Sequence, residues 1–283
     1  MRRRCWVSGG CERAGGCERA GGCERAGGRR AMNWEDDTAR LKSDFDCHGY
    51  VVIEGFMDSR EAGEVAAAID RHIIEVLPGL SESAAFYEVK DRPETIMRLQ
   101  NLGDHDEFFR ELYLSDRFVG LAELLLDDGV VPKNMQWFNK PPRVADQTPP
   151  HQDGFYFMLE PNEALTMWLA LDSVDEENGC IRYLPGAHRR EMRPHQRTEV
   201  LGFSQGIVDY GDADFEAEVA ICAEPGDLIV HHCMIVHRAD ANLSARNRAS
   251  LGLVYFARRA RVDEERAEAY RKKLWTQWER EGR

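Results

Sequence analysis

A mainly β fold with flanking helices, a β-sandwich or jelly roll, is what this sequence predicts, and three observations predict it. Runs rich in β-branched and aromatic residues recur after Gly129, at 130–131, 135–139, 165–171, 181–184, 228–232 and 250–256. Turn residues punctuate them: Pro141-Pro142, Asn178-Gly179, Pro185-Gly186 and Pro225-Gly226-Asp227. Before Gly129 and after Val262 the apolar spacing is helical instead. With 283 residues, 43% of them apolar, and no Pro/Ser-rich linker, residues 32–283 are expected to form one domain.

Residues 9–26 are three identical copies of Gly-Gly-Cys-Glu-Arg-Ala, too rich in glycine and too poor in bulky apolar side chains to offset chain entropy. Segment 1–31 is therefore expected to be disordered. Its cysteines, Cys5, Cys11, Cys17 and Cys23, recur every six residues, whereas structural zinc sites favour pairs two to four apart, so no metal is expected there. Copies this alike read as a recent duplication, with Met32 a candidate start.

From Trp34 the composition turns globular. Thr38, Leu41 and Phe45 lie at helical spacing, and the following His48-Gly49 supplies a residue that tolerates positive φ, so a first helix should stop there. Residues 50–53, Tyr-Val-Val-Ile, then read as a buried strand. Asp58-Ser59 caps a second helix with Ala62, Val65, Ile69, Ile73 and Val76 on its apolar face, ending before Pro78-Gly79. Residues 79–95 show no period and should be irregular, and 96–99 reads as a strand. Phe108, Leu112, Phe118, Leu121 and Leu124 to Leu126 space out two more helices. In the tail, Ala267, Tyr270, Leu274 and Trp278 form one stripe of an amphipathic helix that can dock on its own domain or on a second chain, which leaves the oligomeric state open.

Lys and Arg number 37 against 50 Asp and Glu, a formal charge of −13, which disfavours a nucleic-acid or anionic-membrane surface and favours a small-molecule partner. No apolar run approaches the roughly 20 residues that span a bilayer. Met1-Arg2-Arg3-Arg4 is not followed by the apolar stretch of a secretory signal. Cys47, Cys180, Cys222 and Cys233 are scattered, as expected in a reducing cytoplasm.

The chemistry concentrates between Pro149 and Arg248. Pro149-Pro150 forces extended backbone ahead of His151-Gln152-Asp153, and in a strand His151 and Asp153 would project from one face, ready to chelate. Such a tripeptide also arises by chance among nine histidines and 50 acids, and a surface pair is its plain reading. A third ligand must come from a distant strand, where His231, His232 and His237 are on offer, and a hydrogen-bonded core position is the commoner fate of each. Two imidazoles and one carboxylate leave a face of iron(II) open. Arg248 decides among the three histidines: it follows His237 by a loop that returns it to the next strand, where its guanidinium can grip a distant carboxylate with two hydrogen bonds.

His151-Gln152-Asp153, Asn178-Gly179-Cys180, Leu184-Pro185-Gly186-Ala187-His188, Gly226-Asp227, and His237 followed by Asn242, Ser244 and Arg248 form a series. In that order and spacing it resembles the phytanoyl-CoA dioxygenase (PhyH) family of iron(II)- and 2-oxoglutarate-dependent oxygenases. Segments 47–53 and 138–142 resemble it too, so the likeness runs over roughly 38–258. The resemblance implies a double-stranded β-helix, the cupin-like jelly roll. It implies iron(II) on His151, Asp153 and His237, and 2-oxoglutarate with its distal carboxylate on Arg248 and with Gln136, Trp168 and Arg98 touching it. These residues would serve catalysis with O2, releasing succinate and CO2 and hydroxylating a small molecule or an acyl group. His232 matches a position behind the ligands. Where relatives often carry Ser two residues after the distal histidine, this chain has Ala239, which removes one hydroxyl contact to the co-substrate. The carboxylate of Asp153 favours hydroxylation over halogenation, since related halogenases carry a small residue there.

Two rival readings keep the ligands: a cupin-like metal or 2-oxoglutarate binder without oxygenase activity, and a zinc hydrolase. Neither a metal-binding sensor nor a zinc hydrolase requires a dicarboxylate clamp, and Arg248 with Asn242 and Ser244 speaks for the oxygenase over those two. Substrate signals are fewer. Residues 155–158, Phe-Tyr-Phe-Met, can wall an apolar substrate or simply pack the core. The basic stretch 188–197 can meet the phosphates of a CoA thioester, although a solvated loop is its simpler reading.

Overall fold

The computed structural model describes residues 33–89, 92–143, 146–198, 205–269 and 272. The cysteine repeats, Met32, Tyr270, Leu274 and Trp278 lie outside them, and of the tail helix residues 264–269 are described.

Helix α1 (Thr38–His48) stops as expected at Gly49, whose φ of 81° lets its N–H reach the Phe45 carbonyl at 2.7 Å. Strand β1 (Tyr50–Ile53) follows. Helix α2 (Ser59–Arg71) opens on a reciprocal cap: the Glu61 N–H donates to the Asp58 carboxylate at 2.8 Å, and the Asp58 N–H donates to the Glu61 carboxylate at 2.9 Å. Beyond it the backbone widens into a π turn, His72–Val76. The supposedly irregular stretch contains a strand, β2 (Ala85–Tyr87), paired antiparallel with β3 (Ile96–Leu99). Three residues are too few to display a period, so pairing rather than sequence defines it.

Helices α3 (Leu102–His105), α4 (Glu107–Leu114) and α5 (Asp116–Leu126) lead into β4 (Val130–Lys140), one strand where the sequence suggests two. Pro132 has no N–H for the ladder, and the register slips beside it, between Val254 and Tyr255 of the facing strand. Next come β5 (Thr148–His151), α6 (Gly154–Phe157), β6 (Leu159–Glu160), β7 (Ala164–Ala170) and β8 (Ile181–Tyr183). They are followed by β9 (His195–Arg197), β10 (Gln205–Ile207), α7 (Asp212–Ala217) and β11 (Val219–Ile221). The chain then runs through β12 (Leu228–His232), β13 (His237–Ala239), β14 (Arg248–Ala257) and β15 (Arg261–Val262).

Seven strands form the major sheet, β1-β12-β7-β14-β4-β3-β2, and four form the minor sheet, β11-β8-β13-β5. The two face each other as a double-stranded β-helix, the jelly roll. Alternation along each strand sorts side chains into layers. Leu165, Met167, Leu169, Val230, Leu251 and Leu253 face outward, where helix residues Leu41, Phe45, Val65, Phe118 and Leu121 cover them. Trp168, Ile181, Tyr183 and Ile229 fill the space between the sheets. Covered on both faces, β7 is buried at every residue, which is why its sequence is an unbroken apolar run with only Thr166 polar.

Candidate metal centre

His151 ends β5, but the strand does not continue to Asp153, which has φ −56° and ψ −35° and opens α6. The expectation of one strand face carrying both residues is corrected here: the chain turns, and the turn brings the carboxylate back beside the imidazole. Gln152, wholly buried, holds that turn, donating to the Met234 carbonyl at 2.8 Å and accepting from the Arg193 N–H at 2.9 Å. Gly154 makes it possible, because a Cβ there would stand 2.7 Å from the Asn162 side chain.

His237 on β13 pairs directly with His151 on β5, and the two rings lie 4.1 Å apart. Asp153 Oδ1 is 3.5 Å from His151 Nε2 and 3.7 Å from His237 Nε2, and one ligand atom from each residue lies within 4.8 Å of the others. The tautomers suit a metal. His151 Nδ1 faces the Pro149 carbonyl at 2.8 Å and His237 Nδ1 faces the Ile235 carbonyl at 3.2 Å. A carbonyl accepts only, so each Nδ1 carries the hydrogen and each Nε2 turns a lone pair toward Asp153. Burial keeps His237 well below its ordinary pKa, with the His151 ring adding to the effect. Burial alone would raise the Asp153 carboxyl, but the surrounding histidines, His237 first, hold it well below the usual carboxylate range. Two neutral imidazoles and one carboxylate on one side of a hollow are a donor set that fits iron(II).

The histidine behind the ligands is His231, not His232. Successive residues of β12 point to opposite faces, so His231 enters the interior while His232 turns toward the helices, 6.0 Å from the Phe45 ring, where burial drives its pKa down to about 3. His231 Nε2 lies 3.2 Å from Asp153 Oδ2, the Thr166 hydroxyl donates to that same oxygen at 2.8 Å, and Tyr183 Oη lies 2.8 Å from His231 Nδ1. Burial and then the Asp153 charge push the Tyr183 phenol well above its ordinary pKa, so it remains an O–H. Thr166 and Tyr183 escaped sequence reasoning, and His231 entered it as one of three histidines on offer, with a hydrogen-bonded core position as its commoner fate; the one polar residue within the apolar run of β7 was the signal for Thr166.

A cavity opens beside the triad and contains, among others, Arg98, Lys140, Trp168 and Arg248 in its wall. Gln136 lies on the same strand face as Phe138, opposite Gly252, and is not part of the wall. Arg248 is 5% exposed, its guanidinium stands 5.3 Å above the Trp168 ring, and its Nε has no hydrogen-bond partner. Among the described residues no carboxylate forms an ion pair with it, and burial lowers its pKa to about 10. A buried, unpaired guanidinium costs several kcal/mol unless an anion meets it, so the hollow fits a carboxylate. Asn242 and Ser244 do not line the cavity; they shape the loop that delivers Arg248. Asn242 Nδ2 donates to the Lys140 and Arg246 carbonyls, both at 2.7 Å, and its Oδ1 accepts from the Ser244 hydroxyl at 2.8 Å. Ala239 does line the cavity.

Lys140 is the cation the sequence did not single out. Buried, it donates to the Asp146 and Asp240 carbonyls at 2.7 and 2.8 Å. Burial first, then repulsion from Arg248, bring it down to about 7.

In the aromatic run after Asp153, Tyr156 sets its ring edge-on to His151 at 6.3 Å and the other members pack away from the cavity. Phe155 stacks on His195 at 4.4 Å, Phe157 meets Phe256 at 5.0 Å, and Met158 is buried. In the basic stretch, Arg193 is already paired with Asp209 and Asp214, each at 3.0 Å.

Comparison with known proteins places these features. The profile of the phytanoyl-CoA dioxygenase (PhyH) family matches residues 45–250. The peroxisomal phytanoyl-CoA dioxygenase of Bos taurus is 28% identical over 158 residues, 53% of this chain and 46% of that protein. The Mus musculus protein is 24% identical over 72% of this chain and 64% of its own length. The chain thus spans about half to two thirds of these mammalian relatives. A probable alpha-ketoglutarate-dependent hypophosphite dioxygenase of Stutzerimonas stutzeri is 25% identical over 74% of this chain and 75% of that protein. Among solved structures, the epimerase SnoN in complex with Fe3+, alpha ketoglutarate and nogalamycin RO superposes with a TM-score of 0.64 at 24% identity, covering 80% of this chain and 86% of that one. EctD from S. alaskensis with bound Fe gives 0.64 at 22% identity, covering 77% and 76%. These two share the fold.

Proposed function

The chain belongs to the phytanoyl-CoA dioxygenase family, and from that premise we propose that it is an iron(II)- and 2-oxoglutarate-dependent dioxygenase that hydroxylates a small-molecule or acyl substrate. The observation that carries this reading is the pairing of a two-histidine, one-carboxylate cluster with a buried guanidinium in one cavity. Iron(II) held there supplies the activation of O2, coupled to oxidative decarboxylation of 2-oxoglutarate to succinate and CO2. The protein's part is positioning. His151, Asp153 and His237 are the residues that would hold the metal, beside the cavity. Arg248, over the Trp168 ring, binds the distal carboxylate of the co-substrate and so fixes which end reaches the metal. Arg98, its guanidinium 4.6 Å above the Phe86 ring, adds positive charge to the same wall. Trp168 excludes water from the buried carboxylate, and Phe86, Met97 and Phe138 give the cavity an apolar side for the substrate.

A metal-binding protein that takes no anion has no use for a charge buried at this cost. The basic stretch adds little support for a CoA-linked substrate, because Arg193 spends its charge on Asp209 and Asp214. Cys180 and Cys233, buried thiols, suit the reducing cytoplasm we infer for the chain; no helix among the described residues is long and apolar enough to cross a membrane.

The test is succinate formation from 2-oxoglutarate by protein loaded anaerobically with iron(II) and then given oxygen. Wild-type protein is expected to release succinate and His151→Ala and Arg248→Ala to lose it; equal release by all three would overturn the assignment. A metabolite-extract screen scored by stimulated succinate release would then identify the substrate.

A further inference from the structure

The two oxygens of Asp153 are treated differently by their surroundings. Oδ1 faces the two ligand histidines. Oδ2 accepts the Thr166 hydroxyl at 2.8 Å and faces His231 Nε2 at 3.2 Å. The carboxylate has no proton to give, so His231 must carry its hydrogen on Nε2. Its Nδ1 is then an acceptor, and the Tyr183 hydroxyl, 2.8 Å away, must be the donor. Polarity therefore runs one way, from Tyr183 through His231 to Asp153. The far end is anchored: the Tyr183 ring is wholly buried and stacks on Tyr50 at 4.7 Å and 11°.

We propose that Tyr183 and His231, with Thr166, are positioning residues that hold Asp153 Oδ2 away from the metal, so that the carboxylate ligates through Oδ1 alone. This rests on the metal-site reading above. A carboxylate free to rotate can grip a metal through both oxygens and take one of the coordination positions that the co-substrate needs. With Oδ2 already engaged twice, that rotation would break two hydrogen bonds in a buried place. Tyr183 acts at one remove: by donating to Nδ1 it keeps His231 in the tautomer that can donate at all.

Cobalt(II), a spectroscopic substitute for iron(II), provides a readout independent of turnover. Anaerobic titration of the full chain would give a Kd and a visible absorption band whose shape and intensity follow coordination number. Three variants separate the roles. Tyr183→Phe keeps the ring and its stacking and loses the donor. His231→Leu removes the contact to Asp153. His231→Gln restores an N–H near the position of Nε2. Outer-shell partners of metal ligands are worth about 10- to 100-fold in affinity, so Tyr183→Phe is expected to weaken cobalt binding about tenfold and His231→Leu about 100-fold. Both should change the absorption band, and His231→Gln should return it toward that of the wild type. Thermal melts of the metal-free proteins separate this from misfolding, and should His231→Leu fail to fold, Tyr183→Phe and His231→Gln decide. Wild-type spectrum and affinity in Tyr183→Phe would overturn the proposal while leaving the metal site standing. No cobalt binding by the wild type would instead overturn the metal-site reading, and the proposal with it.

Discussion

Arg248 and Lys140 sit opposite each other across neighbouring strands, Arg248 paired with Lys140 in the β14–β4 register, and both are buried. Two cations this close and this dry are tolerable when an anion comes between them and water. Substituting Arg248 by Met removes charge-assisted hydrogen bonds worth about 1.5–3 kcal/mol in total, so the KM for 2-oxoglutarate is expected to rise about 100-fold in steady-state succinate assays. Lys140 adds a pH dependence. Its pKa in the folded protein, about 7, lies below the ordinary lysine value, under burial and Arg248 and against the pull of Asp240, Asp146 and Glu88. The sign follows: the folded state sheds this proton before the unfolded one, so its contribution to stability is present above the ordinary value and is lost as pH falls through about 7. A carboxylate entering the cavity favours the charged amine, so binding takes up a proton above that pH. With metal saturating, calorimetric Kd for 2-oxoglutarate is expected to weaken by up to about tenfold per pH unit above neutrality, and Lys140→Met to flatten the profile. At this scale the sequence brought forward His151, Asp153, His237 and Arg248, because their types and order are those expected of a chelate and a clamp, and the structure gathers them around one cavity. Lys140 and Tyr183 were not legible, and His231 was one of three candidates without a decided role, since a lone lysine, histidine or tyrosine acquires a role only from what faces it.

Elements, rather than residues, carry the site's geometry. The loop from β13 to β14 converts the spacing between His237 and Arg248 into a position across the cavity, and Asn242 is its clasp, holding the Lys140 and Arg246 carbonyls. Asn242→Ala leaves buried carbonyls unpaired and is expected to cost about 2–3 kcal/mol in denaturant unfolding, and to weaken 2-oxoglutarate binding more than cobalt binding, because Arg248 moves and the triad does not. Asp58→Ala is the contrasting case. It removes the cap of α2, far from the cavity, and should cost about 1 kcal/mol with metal affinity unchanged. The longer elements were legible: α1 and α2 repeat their period often enough to be read, and β7 and β14 are runs of strand-forming residues long enough to stand out. Strands of two or three residues, such as β2, β9 and β13, show no period, and only their partners make them strands. The kink at Asp153 was invisible because the two prolines before it spoke for extended chain and nothing local spoke against it.

Across the whole molecule, the site joins the two sheets: His151 and His237 come from the minor sheet, Thr166, Trp168, His231 and Arg248 from the major one. On the proposed reading, metal and co-substrate would therefore tie together layers otherwise held by apolar packing. A ligand at 100 times its Kd stabilises the folded state by about 2.7 kcal/mol, so the melting temperature is expected to rise by several degrees with metal and 2-oxoglutarate and to fall back with a chelator; an unchanged Tm would contradict a site shared by the sheets. Whole-molecule architecture was partly legible, since strand-forming runs divided by turn residues had few ways to pack other than as two facing sheets. By itself the sequence determined the class of fold and brought forward the residues that the structure gathers, a chelating cluster and a neighbouring guanidinium, because those depend on residue type, order and period, which are local or pairwise. Tertiary structure alone decided that His231 and not His232 faces the carboxylate, that Asp153 sits on a turn, and that Lys140 shares the cavity with Arg248. Those depend on which face of a strand lies inside and on what stands opposite, and burial and pairing between distant segments are properties of the packed chain.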